Sequence, residues 1–195
     1  MATTYFLYLL TQMSLAEKDQ EHMEILMHSK PSIPDRTRYI LGLSSENPAP
    51  EMIEIGQELK DMGAELLAIP CITAHYFHDE LEQGIGLKVV HAVKETGKYL
   101  QDAGVDRVGI LATDGTVKSR LFENLLSQYG ITTVNPGEKS QRMVMDLIYC
   151  QIKSGEKGNL DQFTQVGEEL FHAGAQVNLL GCTELSLLKR DYSLP

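Results

Sequence analysis

Residues 51–71 read EMIEIGQELKDMGAELLAIPC, and they decide the fold because the same grammar returns as FTQVGEELFHAGAQVNLLGC at 163–182. Met52, Ile55, Leu59 and Met62 fall at helical spacing and stop at Gly63, after which AELLAIP is an apolar run of strand length. A constant shift of 111 positions pairs Gly56 with Gly167, Glu58 with Glu169, Leu59 with Leu170, Gly63 with Gly174, Ala64 with Ala175 and Cys71 with Cys182. The two units read as an internal duplication whose cysteines sit at equivalent strand ends.

Outward from there, KETGKYLQDAGVDRVGILAT (94–113) repeats the pattern, with a helix closing at Gly104 and DRVGILA as strand. ILGL at 40–43 and TTV at 132–134 are shorter strand candidates. Strands buried on both faces show no polar alternation, so helices alternating with continuously apolar runs predict an α/β fold with mainly parallel sheets. The expected organisation is two pseudosymmetric lobes, each a parallel sheet flanked by helices, with an active-site cleft between them. Residues 1–96 form the lobe with Cys71 and residues 97–195 the lobe with Cys182, the last residues leading back to the first lobe. In such sheets ligands bind at the carboxyl ends of strands.

Composition narrows the partners. The chain has 195 residues, 43% apolar and 23% charged, enough for one good core or two small ones. Lys and Arg number 17 against 27 Asp and Glu, a net charge of −10, which argues against nucleic acid and anionic membrane. The apolar run YFLYLLTQM is too short to span a bilayer and lacks the features of a signal peptide, so the expected location is cytoplasmic.

Cys71, Cys150 and Cys182 are an odd set at wide spacing, with neither a disulfide framework nor a zinc knuckle. A thiol is ordinarily a small buried hydrophobe, and Cys150 in DLIYCQIK is read that way. Cys71 and Cys182 differ because they share a position. Thiols approaching a ligand from opposite sides, one as thiolate base and one as thiol acid, invert a carbon centre. Helices starting after each cysteine, in TAHYFHDELEQ and TELSLLK, would favour the thiolate.

PCITAH (70–75), LGCTE (180–184), KPSIPDRT (30–37) and LATDGT (111–116) resemble the pyridoxal-phosphate-independent aspartate/glutamate racemase family, as do KDQEHM (18–23) and IKSG (152–155). The resemblance implies a cofactor-free, metal-free racemase of aspartate or glutamate, a homodimer acting on a small acidic amino acid, with Cys71 and Cys182 as the acid/base pair. It places Thr73 and Thr183 against the substrate or the thiols, and Arg36 and Lys153 near the substrate carboxylates. Thr113 and Thr116 bracket a turn suited to an anion, and His75 and Glu184 support the cysteines. Each has a plain structural alternative: a capping hydroxyl, a solvated cation, an Asp-Gly turn, a helix cap.

Two departures bear on substrate. Family members usually carry asparagine where Ile72 and Lys30 stand, and isoleucine has no donor or acceptor. The strand and glycine-rich loop usual before a helix like ATTYFLYLLTQM, and the strand and helix usual after a segment like RDYSLP, are expected to be missing. The competing expectations are a decarboxylase, cis-trans isomerase or hydantoin racemase with a less polar pocket, and a silent binding protein on the same fold.

Overall fold

The computed structural model describes residues 2–192 and 194, and its elements follow the punctuation of the sequence. Helix α1 (Ala2–Met13) leads through a long irregular stretch to α2 (Arg36–Ile40), α3 (Ala49–Asp61), α4 (His78–Ile85) and α5 (Ala92–Asp102). Next come β1 (Arg107–Leu111), α6 (Asp114–Lys118), α7 (Leu121–Leu126) and β2 (Thr132–Val134). The chain closes with α8 (Glu138–Asp146), α9 (Leu160–His172), β3 (Val177–Leu180) and α10 (Ser186–Asp191).

Helices α3 and α9 carry the repeat: each is 13 residues long, and their ends are related by the same 111-residue shift. Both end at a glycine in the left-handed region, Gly63 at φ 101° and Gly174 at φ 95°, where a side chain would be strained. α3 buries Met52 and Ile55, and α9 buries Val166 and Leu170.

Among the described residues the sheet is three-stranded and parallel, in the order β2-β1-β3. The strand period of two sends Val108 and Ile110 into a core with Leu121, Phe122, Leu126 and Ile131. Leu111 faces the other side, where Val144, Leu147, Ile148, Val166, Leu170 and Cys182 pack. Gly109 lets α9 approach closely, since a Cβ there would lie 2.9 Å from Leu170 Cβ and 2.3 Å from Asn178 Oδ1. A third core, of Ala49, Met52, Leu67, Ala74, Phe77, Leu81, Ile85 and Val89, belongs to the earlier part of the chain.

Three expectations are corrected. AELLAIP forms no full strand: Leu67 makes a single parallel bridge to Val89, with Leu67 N donating to Lys88 O (3.0 Å) and Val90 N to Leu67 O (2.8 Å). The reason is pairing, because among the described residues this segment has backbone neighbours on one edge only, whereas β1 is flanked by β2 and β3. ILGL is the end of α2 and a turn at Gly42 (φ 70°), because the Asp35 side chain caps α2 by accepting from Arg38 N. Cys150 lies exposed, in a π-helical turn Leu147–Ile152 that directs its neighbours Ile148 and Ile152 inward.

Helix α1 is apolar, yet none of its residues is buried. No helix among the described residues is long and apolar enough to cross a membrane.

Candidate active site

Cys71 ends the bridged segment in extended conformation (φ −150°, ψ 105°) and opens a 3-10 turn, Ile72–Phe77. Cys182 follows β3 after Gly181, whose amide donates to Leu111 O at 2.8 Å and so holds the strand end against β1. Thr183 Oγ1, beside Cys182, donates to the carbonyl of Pro70, beside Cys71, at 3.2 Å. The two cysteine segments, far apart in sequence, are thus joined by a hydrogen bond. Both cysteines line one cavity of ≈ 390 Å³.

The environments of the two sulfurs differ. Cys71 is half-buried, and Arg36 Nη2 lies 3.9 Å from its Sγ. The same guanidinium is anchored through Nη1, which donates to Ile33 O (3.0 Å) and Pro34 O (2.9 Å). Cys182 is buried, and its thiol donates to Glu184 Oε2 at 2.9 Å. Burial first, then the Glu184 carboxylate, pushes the Cys182 thiol well above its ordinary value. That overturns the expectation of a helix-activated thiolate at Cys182: α10 begins only at Ser186, too far on to offset burial.

Most of the anticipated residues converge here. Lys30, Arg36, Ile72, Thr73, Thr113, Lys153, Thr183 and Glu184 line the cavity with the two cysteines. Thr116 and His75 do not line it and stand behind it. Thr37, Thr73, Thr113 and Thr116 are all buried and form a hydroxyl cluster. Thr37 Oγ1 donates to Thr113 Oγ1 (3.1 Å), Thr73 Oγ1 is 3.0 Å from both Thr113 Oγ1 and Thr116 Oγ1, and those two are 3.2 Å apart. Thr113 also caps α6, so capping and site-building are one role here.

Lys30 is drawn off by carboxylates, Glu51 at 3.0 Å and Glu54 at 3.8 Å, and the Glu51 hydrogen bond raises its pKa. Lys153 sits over the Tyr149 ring at 4.0 Å. Ile72 touches the cavity and packs against the core of Val93, Val108 and Ile110.

Asp35, Thr37 and Tyr149 are functional-site candidates that sequence reasoning missed. Tyr149 Oη donates to Asp35 Oδ2 at 3.0 Å across the cavity. Burial, chiefly, pushes the Tyr149 hydroxyl well up, so it stays a neutral donor. The available signals were an acid lodged between Pro34 and Arg36, and a tyrosine four residues before Lys153.

Chemically, the cavity offers two thiols, a guanidinium and an ammonium for carboxylates, a cluster of hydroxyls, and a carboxylate next to one thiol. A family model described as Asp/Glu/Hydantoin racemase matches residues 1–194. Over 168 residues the chain is 24% identical to the broad specificity amino-acid racemase RacX of Bacillus subtilis (strain 168), covering 86% of this chain and 71% of that protein. The fold is similar to Picrophilus torridus aspartate racemase, with TM-score 0.81 and 27% identity over 100% of this chain and 82% of that one. An aspartate racemase homologue from Pyrococcus horikoshii OT3 shares the fold, with TM-score 0.75 and 20% identity over 96% and 82% of the two chains.

Proposed function

The chain belongs to the Asp/Glu/hydantoin racemase family, and from that premise we propose that it racemises an acidic amino acid, aspartate or glutamate, by two-base proton transfer between Cys71 and Cys182. One observation carries the proposal: the two cysteines, at matching ends of a duplicated unit, line the same cavity.

In one direction Cys71, as thiolate with Arg36 as its counter-charge, removes the Cα proton. The carbanion's charge spreads into the substrate carboxylate, which Arg36, Lys153 and the cavity-lining Thr73, Thr113 and Thr183 would hold. Cys182, held as a thiol by burial and by Glu184, delivers a proton to the opposite face. One proton leaves Cα and another replaces it, and Cys71 ends protonated with Cys182 ionised. The reverse reaction starts from that state. Glu184, which accepts from the Cys182 thiol, would exchange its proton with solvent between turnovers.

The test is chiral chromatography of L- and D-aspartate and L- and D-glutamate incubated with the protein and with Cys71→Ala and Cys182→Ala. Each alanine variant is expected to lose at least about 100-fold in racemisation rate. Unchanged racemisation in either variant defeats the two-base reading.

Ile72 favours a second reading. With Ile33 and Ile69 it adds apolar surface to the cavity wall, which suits a hydantoin or an α-substituted dicarboxylate of lower polarity. Turnover of such substrates with none of aspartate or glutamate would select it.

A further inference from the structure

Close to Cys71, and outside the residues that line the cavity, three histidine rings pack together. The ring centroids of His78 and His91 are 4.2 Å apart, those of His75 and His91 5.3 Å, and those of His75 and His78 6.2 Å. The proposed reaction uses none of them. His75 and His78 are buried, and His91 Nδ1 is buried with no hydrogen-bond partner.

His75 connects this cluster to the thiol. Its Nδ1 lies 3.0 Å from the carbonyl of Cys71 and its Nε2 3.3 Å from the carbonyl of Val90. A carbonyl only accepts, and a neutral imidazole has a single N–H, so one contact is a hydrogen bond and the other is not. The shorter distance assigns the proton to Nδ1. Burial, chiefly, lowers the His75 pKa, which agrees with a neutral ring.

The surroundings brace that ring. Residues 88–90 are held on one side by the backbone bonds with Leu67, and on the other by His78 Nε2 donating to Val89 O at 3.0 Å. The Cys71 carbonyl also receives Ala74 N at 3.1 Å, and Cys71 N donates to Ile69 O at 2.7 Å. The backbone of Cys71 is therefore fixed by its neighbours in sequence and, across the 3-10 turn, by one imidazole.

We propose that His75 is the positioning residue of Cys71, its Nδ1–H holding the Cys71 carbonyl so that the thiol is presented to the cavity in its working orientation. This deepens, and rests on, the reading of Cys71 as an acid/base group; His75 itself touches no substrate.

Side-chain isosteres separate the two ring nitrogens. The amide nitrogen of asparagine falls near Nδ1 and that of glutamine near Nε2. His75→Asn therefore keeps the Cys71 contact, His75→Gln keeps only the Val90 contact, and His75→Phe keeps neither. Two readouts are taken on variants shown to be folded by circular dichroism: kcat and KM for racemisation, and the rate at which iodoacetamide alkylates Cys71, followed by peptide mass spectrometry.

His75→Asn is expected to stay within about threefold of wild type in kcat, while His75→Gln and His75→Phe fall about tenfold or more with little change in KM. Cys71 alkylation should change in the glutamine and phenylalanine variants and hold in the asparagine variant. Equal losses in Asn and Gln, or a wild-type kcat and alkylation rate in Phe, would overturn the proposal and leave His75 a packing residue. If wild-type protein alkylates normally but racemises nothing, the racemase reading fails. The alkylation order of the three variants then decides the positioning role by itself.

Discussion

The Arg36 guanidinium commits Nη1 to the carbonyls of Ile33 and Pro34 and leaves Nη2 facing Cys71 Sγ. A lysine carries its donors on one nitrogen and lacks the planar two-nitrogen fork that spans the carbonyls and the thiol. Arg36→Lys is expected to lower kcat/KM about 10- to 100-fold, read from racemisation kinetics, and an unchanged value would remove Arg36 from the site. Cys182 is buried against Glu184 while Cys71 is half-buried and Cys150 exposed, so Cys182 should be the slowest of the three to alkylate near pH 7. Glu184→Gln should narrow that gap. Histidine chemistry sets an acid limit on the fold. Burial lowers the pKa of His75, and burial first, then His78, His75 and Lys94, lowers that of His91 to about 4. The unfolded chain titrates these groups near ~6.5, so between about 4 and about 6.5 it binds more protons than the folded one. Stability should therefore be full above that window and fall as pH drops through it, seen as a falling urea midpoint. His91→Asn should flatten part of the fall. That Cys71, Cys182 and Arg36 line one cavity could be anticipated from motifs alone, because each sits in a short distinctive string. Asp35 and Tyr149 could not, because their contact spans 114 positions and only folding brings them together.

The ends of helices α3 and α9 were readable from their closing glycines, while their starts lie two and three residues before the strings that showed the apolar spacing. The strands that follow them were readable only in part. AELLAIP and AQVNLLG look alike in composition, yet the second becomes β3 beside β1 while the first makes one bridge to Val89. A strand depends on its neighbours, which the run itself does not encode. The tight contact between β1 and α9 gives a prediction at this scale. Gly109→Ala puts a methyl group against Leu170 and Asn178. It should cost about 1–3 kcal/mol in urea unfolding, and a neutral result would mean α9 yields more easily than its packing indicates.

At the scale of the molecule, three cores among the described residues carry the fold: two on the faces of the sheet, and one built from residues between Ala49 and Val89. The cysteine segments meet where Thr183 bonds to Pro70 O, and the cavity lies there. That meeting was foreseeable once Cys71 and Cys182 were seen to share a register, although the hydroxyl cluster and the tethering of Lys30 by Glu51 were not. The homodimer implied by the resemblance remains a proposal. Helix α1, which packs Tyr5 on the core but leaves Tyr8 and Met13 exposed, supports it, and sedimentation equilibrium is expected to give twice the 21.8 kDa chain mass. The central claim concerns two bases, and deuterium distinguishes two from one. Initial racemisation of each enantiomer is run in D2O and the Cα position of product and recovered substrate is read by mass spectrometry. Because Cys71 and Cys182 would each serve one face with a single exchangeable proton, the product should carry deuterium while recovered substrate keeps its original hydrogen. Early deuterium in recovered substrate, or product that retains the substrate's hydrogen, would show a single base and contradict the assignment of both cysteines.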